Sequence, residues 1–489
     1  MKELLIELDS HAKTSLYEQI YEYIRRMIMD GSLSCGERLP SARLLAVHLQ
    51  VSRSTVDAAY AQLVSEGYLK AKRGSGYYVC DVGALYHFTA GHDSEKRDND
   101  LPKQRNAASR IKQNHSPHMT YNFLPGQIDD SGFAYNAWRK CAKEALLDLE
   151  TSHRLLPAGH PQGEYELRAA IAAYLCQARG VRCEPQQIII GAGNEYLLQM
   201  LAQILGGPRT VAMESPTYLQ AYHTFCNIGY EVKAVPMDME GMLTEKIPNE
   251  AMTLVYVMPS HQFPLGTVMP LRRRLQLLTW ADAGPQRYII EDDHDSEFRY
   301  KGRPIPALQG IAAQERVIYL GTFSNSIMPS IRISYMVLPQ PLLAEYDKRC
   351  GFYASTVSRL QQITVCKFME QGYFERHLNK MRGIYKAKHD LLLSLLKEKR
   401  WVHRIYGDHA GLHLAVELNC MYTEAEVIAR ARSYGLYVQG MSECYLAGSK
   451  KPDERPILLL GFGSLTQEHL REGVKILEKC IIYSIEDKI

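Results

Sequence analysis

Apolar positions follow two different rhythms along the chain, and the change of rhythm divides it. In TSLYEQIYEYIRRMIMDGSL, Leu16, Ile20, Ile24, Met27 and Ile28 share one helical face, and Gly31 ends the pattern. LPSARLLAVHLQVSRSTVDAAYAQLVSEGYL predicts two more helices joined by a tight turn at Gln50–Ser52. The second starts near Arg53 and buries Val56, Tyr60 and Leu63. GYLKAKRGSGYYVCD alternates toward a Gly-Ser-Gly tip and back, which predicts a β-ribbon. Beyond His118 the pattern changes to short, near-continuously apolar runs at 187–193, 210–215, 253–259, 287–293, 316–323 and 333–339. Helical stretches such as NEYLLQMLAQILGG separate several of them, with Leu197, Met200, Leu201 and Ile204 on one face. Strands covered on both sides and alternating with helices predict a mostly parallel α/β sheet in three layers.

The segment between the two rhythms, Ala90 to His118, is charged, rich in Asn, Ser and Lys, and almost free of large apolar residues, which predicts a linker. The expected organisation is a head over 13–81, a linker over 82–118 and a large domain over 119–489, with 345–489 a smaller α+β subdomain. A length of 489 residues and 46% hydrophobic content suffice for several cores. Eleven cysteines lack any CxxC pair or Cys/His ligand spacing, so neither a disulfide framework nor a metal site is expected. MKELLIELDSHAK breaks its apolar run with Glu3, Glu7 and Asp9, and no run approaches a membrane span. A soluble, cytoplasmic protein is the expectation.

A net charge of +3 does not announce nucleic-acid binding, but its distribution changes the picture. From Arg38 to Arg73 there are six Lys/Arg against two Asp/Glu, and Arg53, Ser54 and Thr55 open the helix that a DNA reader places against base edges and phosphates. GERLPSARLLAVHLQVSRSTVDAAYAQLVSEGYLKAKRGSGYYV closely resembles the winged helix-turn-helix of GntR-type bacterial regulators. The resemblance implies contacts with double-stranded operator DNA from Arg38, Ser41, Arg43, Ser52, Arg53, Ser54 and Thr55, and from the wing at Lys72, Arg73 and Gly74.

In α/β sheets ligands sit outside the carboxyl ends of the strands. Polar clusters stand at those ends: Ala192–Asn194, Ser215–Tyr218, Ser260–Gln262, Asp292–His294 and Thr322–Asn325. HPQGEYELRAAIAAYLCQARGV, MPSHQFPLGTVMPLRRRLQLL, IIEDDHDSEFRYKGRPIPALQG and VIYLGTFSNSIMPSIRISY, in that order, resemble fold-type I aminotransferases dependent on pyridoxal 5′-phosphate. Joined to a GntR head, they resemble the MocR subfamily. The resemblance implies a phosphate site from Ala192, Gly193, Asn194, Thr322, Ser324 and Arg332, and a carboxylate from Asp292 against the pyridine nitrogen. It further implies that Tyr218, His261, Gln262 and His294 adjoin the cofactor, and that the protein is a homodimer answering to a small molecule.

Asn325 breaks the family pattern. The corresponding residue is a lysine whose amine forms a Schiff base with the cofactor and moves the substrate proton; an amide is neither basic nor nucleophilic. No catalytic residue is therefore expected, and any cofactor is expected without a covalent link unless another lysine, such as Lys301, supplies it. His294 stands where the family has tyrosine, and the apolar ILLLGFG around Leu459 stands where aminotransferases clamp a substrate carboxylate with arginine, Arg455 lying nearby. Three readings follow: a regulator whose aminotransferase-like domain senses a ligand, an active transaminase with a DNA-binding appendage, or a cofactor-free regulator.

Overall fold

The structure is a computed structural model that describes residues 6, 8–9, 14–72, 76–80, 121–300, 305–449 and 455–482. The chain divides into two compact units, Met1–Ile111 and Lys112–Ile489. The linker at 82–118, Arg73, Gly74 and Lys301 lie outside the described residues.

In the first unit, α1 (Leu16–Met29) buries Ile20, Tyr21, Ile24 and Ile28, with Leu16 and Met27 half-buried at the edges of that face. α2 (Ala42–His48) and α3 (Arg53–Ser65) each begin at a serine whose hydroxyl accepts a backbone N–H: Ser41 from Leu44 and Ser52 from Thr55, both at 3.2 Å. The turn between them places Gln50 at φ +52°, a left-handed position that reverses the chain. Val56, Tyr60 and Leu63 are fully buried, and the Tyr60 hydroxyl donates to the Pro40 carbonyl at 3.0 Å. β1 (Leu69–Lys72) and β2 (Gly76–Val79) pair antiparallel as the wing.

The second unit opens with β3 (Tyr121–Asn122), α4 (Tyr135–Thr151) and α5 (Tyr165–Arg179), followed by an eight-stranded sheet. Its members are β4 (Ile188–Gly191), β5 (Thr210–Ser215), β6 (Glu231–Asp238), β7 (Gly241–Met242), β8 (Thr253–Val257), β9 (Tyr288–Asp292), β10 (Val317–Thr322) and β11 (Ser334–Val337), in the order β4-β11-β10-β9-β8-β5-β6-β7. Strands β10, β9, β8, β5 and β6 are mutually parallel; β11 and β7 run against their neighbours. Alternation explains why the runs are apolar throughout. Ile189 and Ile290 join a core under α6 (Asn194–Leu205) and α7 (Leu219–Ile228), whereas Ile188 and Ile190 face a core with α5, and Ile289 faces one with α8 (Leu271–Asp282).

After α9 (Leu308–Ile311) and α10 (Leu343–Arg349) come α11 (Arg359–Glu370) and the long α12 (Tyr373–Lys397). β12 (Val402–Tyr406), β13 (His413–Leu418), β15 (Gln439–Gly440) and β16 (Ile457–Gly461) form a second, antiparallel sheet. α13 (Glu424–Ser433), β14 (Leu436–Tyr437), which pairs with β3, and α14 (Gln467–Ile482) complete the second unit. The fold is thus the expected α/β class with a mixed sheet, and the strand ends of β5, β8, β9 and β10 meet along one edge.

Candidate functional site

A cavity of ≈ 650 Å³ opens at that edge, lined among others by Gly193, Asn194, Thr217, Tyr218, Asp292, His294, Asp295, Thr322, Ser324, Asn325 and Arg332. Asp292, at the tip of β9, is buried, accepts the Tyr256 hydroxyl, and has the Asn194 amide nitrogen 3.4 Å from both its oxygens. Burial raises its pKa, against the opposing pull of Tyr256 and His294. Tyr218 packs edge-on against Phe263 at 6.0 Å, and burial together with Asp292 pushes its hydroxyl up to about 12.

The opposite wall is a small hydroxyl network. Thr322 Oγ1 donates to Ser324 Oγ at 3.0 Å, and accepts from Ser334 Oγ at 3.0 Å and from the Ser324 N–H at 3.2 Å. Arg332 sits in left-handed backbone at φ +51° and pairs with Glu195 Oε2 at 3.0 Å, half exposed. Glycine is required at 193: φ is +112°, and a Cβ there would lie 2.1 Å from the Arg332 guanidinium. The absence of a Cβ at 193 therefore lets the Arg332 guanidinium lie against the first turn of α6.

Asn325 donates its amide N–H to Asp295 Oδ1 at 2.6 Å. Asp295 is buried at φ +52°, which folds its side chain back into the cavity, with His294 Nε2 3.5 Å from its other oxygen. Despite its burial, the neighbouring histidines and Asn325 hold its pKa below the usual carboxylate range.

Three expected cofactor neighbours stand behind the wall rather than in it. Ala192 offers its N–H to Thr356 at 3.1 Å. Gln262 holds its own loop, donating to the Pro216 carbonyl at 2.8 Å and accepting from the Leu265 N–H at 3.1 Å. His261 is buried beneath His294, rings 6.2 Å apart and nearly parallel, with neither ring nitrogen bonded; burial takes its pKa down to about 3, so it is neutral. Leu459 is buried in β16 against Ala415, Met441 and Cys444, and Arg455 lies 3.7 Å from Glu417, so neither supplies a cavity clamp. Asp295, Glu195 and His413 line the cavity without having been singled out from the sequence.

In the first unit, Arg38, Ser41, Arg43, Ser52, Arg53, Ser54 and Lys72 are exposed and Thr55 is half-buried. Ser52 Oγ bonds the hydroxyls of Ser54 at 2.8 Å and Thr55 at 2.7 Å, Arg53 lies 3.3 Å from Asp57, and Lys72 Nζ sits 4.8 Å over the Tyr78 ring.

Comparison with known proteins decides the family. The profile of bacterial regulatory proteins of the gntR family matches residues 16–79, and that of aminotransferase class I and II matches residues 130–469. Over nearly its whole length the chain is 39% identical to the helix-turn-helix-type transcriptional regulator YdeL of Bacillus subtilis, with 95% of this chain and 96% of that protein covered. It is 33% identical to the pyridoxine biosynthesis transcriptional regulator PdxR of Corynebacterium glutamicum (96% and 97% covered), and 31% to the Rhizobium meliloti protein MocR, named for regulation of rhizopine catabolism (98% and 96% covered). This chain belongs to the MocR branch of the GntR family. Among solved structures, the large unit of this MocR-type regulator matches a multiple substrate aminotransferase from Thermococcus profundus with TM-score 0.66 and 26% identity, covering 75% of this chain and 92% of that one.

The family fold is one that holds pyridoxal phosphate, and the cavity offers a direct test of fit. Asn194 Oδ1 and Thr217 Oγ1 are buried there without a partner, an arrangement that costs stability unless a ligand supplies one. Gly193 lets the Arg332 guanidinium stand at the start of α6, where an anion would sit, and Asp292 is buried. Those groups fit a pyridine ring and a phosphate; Asn325 does not fit a covalent anchor. Among the described helices, none is long and apolar enough to cross a membrane.

Proposed function

We propose that this regulator reads operator DNA with its winged helix and uses its aminotransferase-like unit as a sensor that holds pyridoxal phosphate without a covalent bond and turns over no substrate. The observation that carries this reading is the Asn325–Asp295 hydrogen bond. It fills the place of an amine with a neutral amide and locks that amide onto a carboxylate.

When bound, the cofactor supplies a carbonyl reactive toward amines and an electron-withdrawing ring. Asp292 would face the ring nitrogen, with Tyr256 and Asn194 holding its orientation. Thr322, Ser324, Arg332 and the start of α6 would hold the phosphate. Tyr218 and His294 would flank the ring, and the stack on neutral His261 keeps His294 in place. Neither Leu459 nor Asn325 can clamp a substrate carboxylate or carry a substrate proton in the way an arginine and a lysine at those positions would.

In the head, Arg38, Arg43, Arg53 and Lys72 would contact phosphates, while Ser54 and Thr55 at the start of α3 reach base edges. Exposed Leu146, Leu147, Leu155, Leu156 and Phe352 on the large unit support assembly with a second copy, and a DNA-reading role supports a cytoplasmic location. Equilibrium dialysis of the purified protein against pyridoxal phosphate tests the sensor. Stoichiometric uptake with no keto acid formed from amino acids is expected; sustained turnover contradicts the proposal.

A further inference from the structure

A second cavity of ≈ 650 Å³ lies between the end of α5, the loop after β9 and the first half of α12. Its wall includes Arg179, Arg299, Arg382, Glu297 and Tyr174. Arg179 is consumed by a buried, two-pronged pair with Asp293 at 2.8 and 2.9 Å. The other two guanidinium groups have no carboxylate partner among the described residues. Among the described residues, Arg299 Nε is buried without a hydrogen bond, and Arg382 donates to the Glu297 carbonyl at 3.0 Å and to the Asn379 amide oxygen at 2.8 Å, both neutral acceptors.

Two acidic residues also line the cavity. Burial, with Asp293 and Asp295 nearby, pushes the Glu297 carboxyl up to about 8, so at neutral pH it is mostly a neutral hydrogen-bond donor rather than a counter-charge. Glu375 is exposed in the first turn of α12. An unpaired buried guanidinium N–H in the same cavity as a second guanidinium bonded only to neutral acceptors among the described residues is costly unless an anion completes it.

We infer that this cavity is a binding site for a small oxyanion-bearing metabolite, a carboxylate or phosphate compound, gripped by Arg299 and Arg382. The site is distinct from the cofactor-type cavity but shares a wall with it. Asp292, His294 and Asp295 line the first cavity, while Ser296, Glu297 and Arg299, next along the same loop, line the second. Asp293 pins that loop between them, accepting from Arg179, Ser296 and Tyr319. Occupancy of the second cavity therefore acts on the backbone that carries Asp292 and Asp295.

Cys176 is exposed and lines this cavity, which provides a local reporter. The full chain is alkylated with iodoacetamide in inorganic phosphate, in succinate, or in chloride of equal ionic strength, and the rate at Cys176 is read by peptide mass spectrometry with Cys35 as reference. Several-fold protection of Cys176 by phosphate or succinate relative to chloride is expected, surviving Arg332→Gln and abolished by Arg299→Gln with Arg382→Gln. If that double variant does not fold, Asn379→Asp, which sets a carboxylate against Arg382, is expected to abolish protection in its place. Absence of protection in the unaltered chain, protection lost in Arg332→Gln, or protection retained in the folded double variant or in Asn379→Asp overturns the inference. None of these outcomes depends on how pyridoxal phosphate is held.

Discussion

The side-chain amide of Asn325 lies 2.6 Å from Asp295, a carboxylate that left-handed backbone turns into the cavity. An amide that gives one N–H to a carboxylate keeps its second N–H and its carbonyl oxygen for a ligand but has no basic or nucleophilic nitrogen, so this corner of the cavity orients a ligand rather than attacking it. Electrostatics agree: the anionic form of Asp295 is stabilised by its neighbours, as a fixed counter-charge would be.

Phosphate holding is predicted to depend on a competition between a ligand and Glu195 for Arg332. Removing the guanidinium with Arg332→Gln should weaken pyridoxal phosphate binding by about 1 kcal/mol, roughly five- to tenfold, because the residue is half exposed and solvent screens it. Glu195→Gln should act in the opposite direction and tighten binding. Dissociation constants from spectral titration check both, and equal effects of the two variants would remove Glu195 from the account.

DNA affinity is predicted to carry the salt signature of phosphate contacts from the exposed cations of the head. Arg38→Ala combined with Lys72→Ala should weaken operator and non-operator DNA alike and make the log Kd against log salt slope shallower by about 2. Mobility-shift titrations across a salt series measure it. An unchanged slope would move these residues off the DNA.

Glu214, buried next to β7 with one carboxyl oxygen unpartnered, gives a stability prediction with a definite sign. Burial raises its pKa from 4.5 to about 7. The folded form thus favours the protonated acid: the associated stability is complete below about pH 4.5 and is lost as pH rises through 7, a change of roughly 3 kcal/mol. Glu214→Gln should flatten that dependence, so the difference in Tm between variant and unaltered protein should shift in favour of the variant from pH 5 to pH 8. A constant difference would show that Glu214 does not titrate there.

Much of this architecture is written in local patterns. The six apolar runs became β4, β5, β8, β9, β10 and β11, because central strands need apolar side chains on both faces. β6 escaped notice because Glu231–Asp238 lies near the sheet margin and is only partly buried, so its composition does not stand out. Site residues at strand ends, Asn194, Asp292, Thr322 and Ser324, were legible for the same reason that the strands were. Asp295 was not: its role depends on a left-handed φ that no composition reports. Nor was His413, which reaches the cavity from the second sheet, or the engagement of Arg332 by Glu195 across 137 residues. His261 and Gln262 sit in a recognisable motif, but their burial behind the wall is a tertiary fact.

The central claim is that position 325 alone separates this cavity from one that bonds its cofactor, and borohydride reduction followed by intact-protein mass measurement tests it most directly. With pyridoxal phosphate present, the unaltered chain should gain no mass and release all bound cofactor on denaturation, whereas Asn325→Lys should gain the mass of one reduced pyridoxal phosphate at residue 325. A stoichiometric adduct on the unaltered chain, or a lysine variant that remains unmodified, would contradict the account.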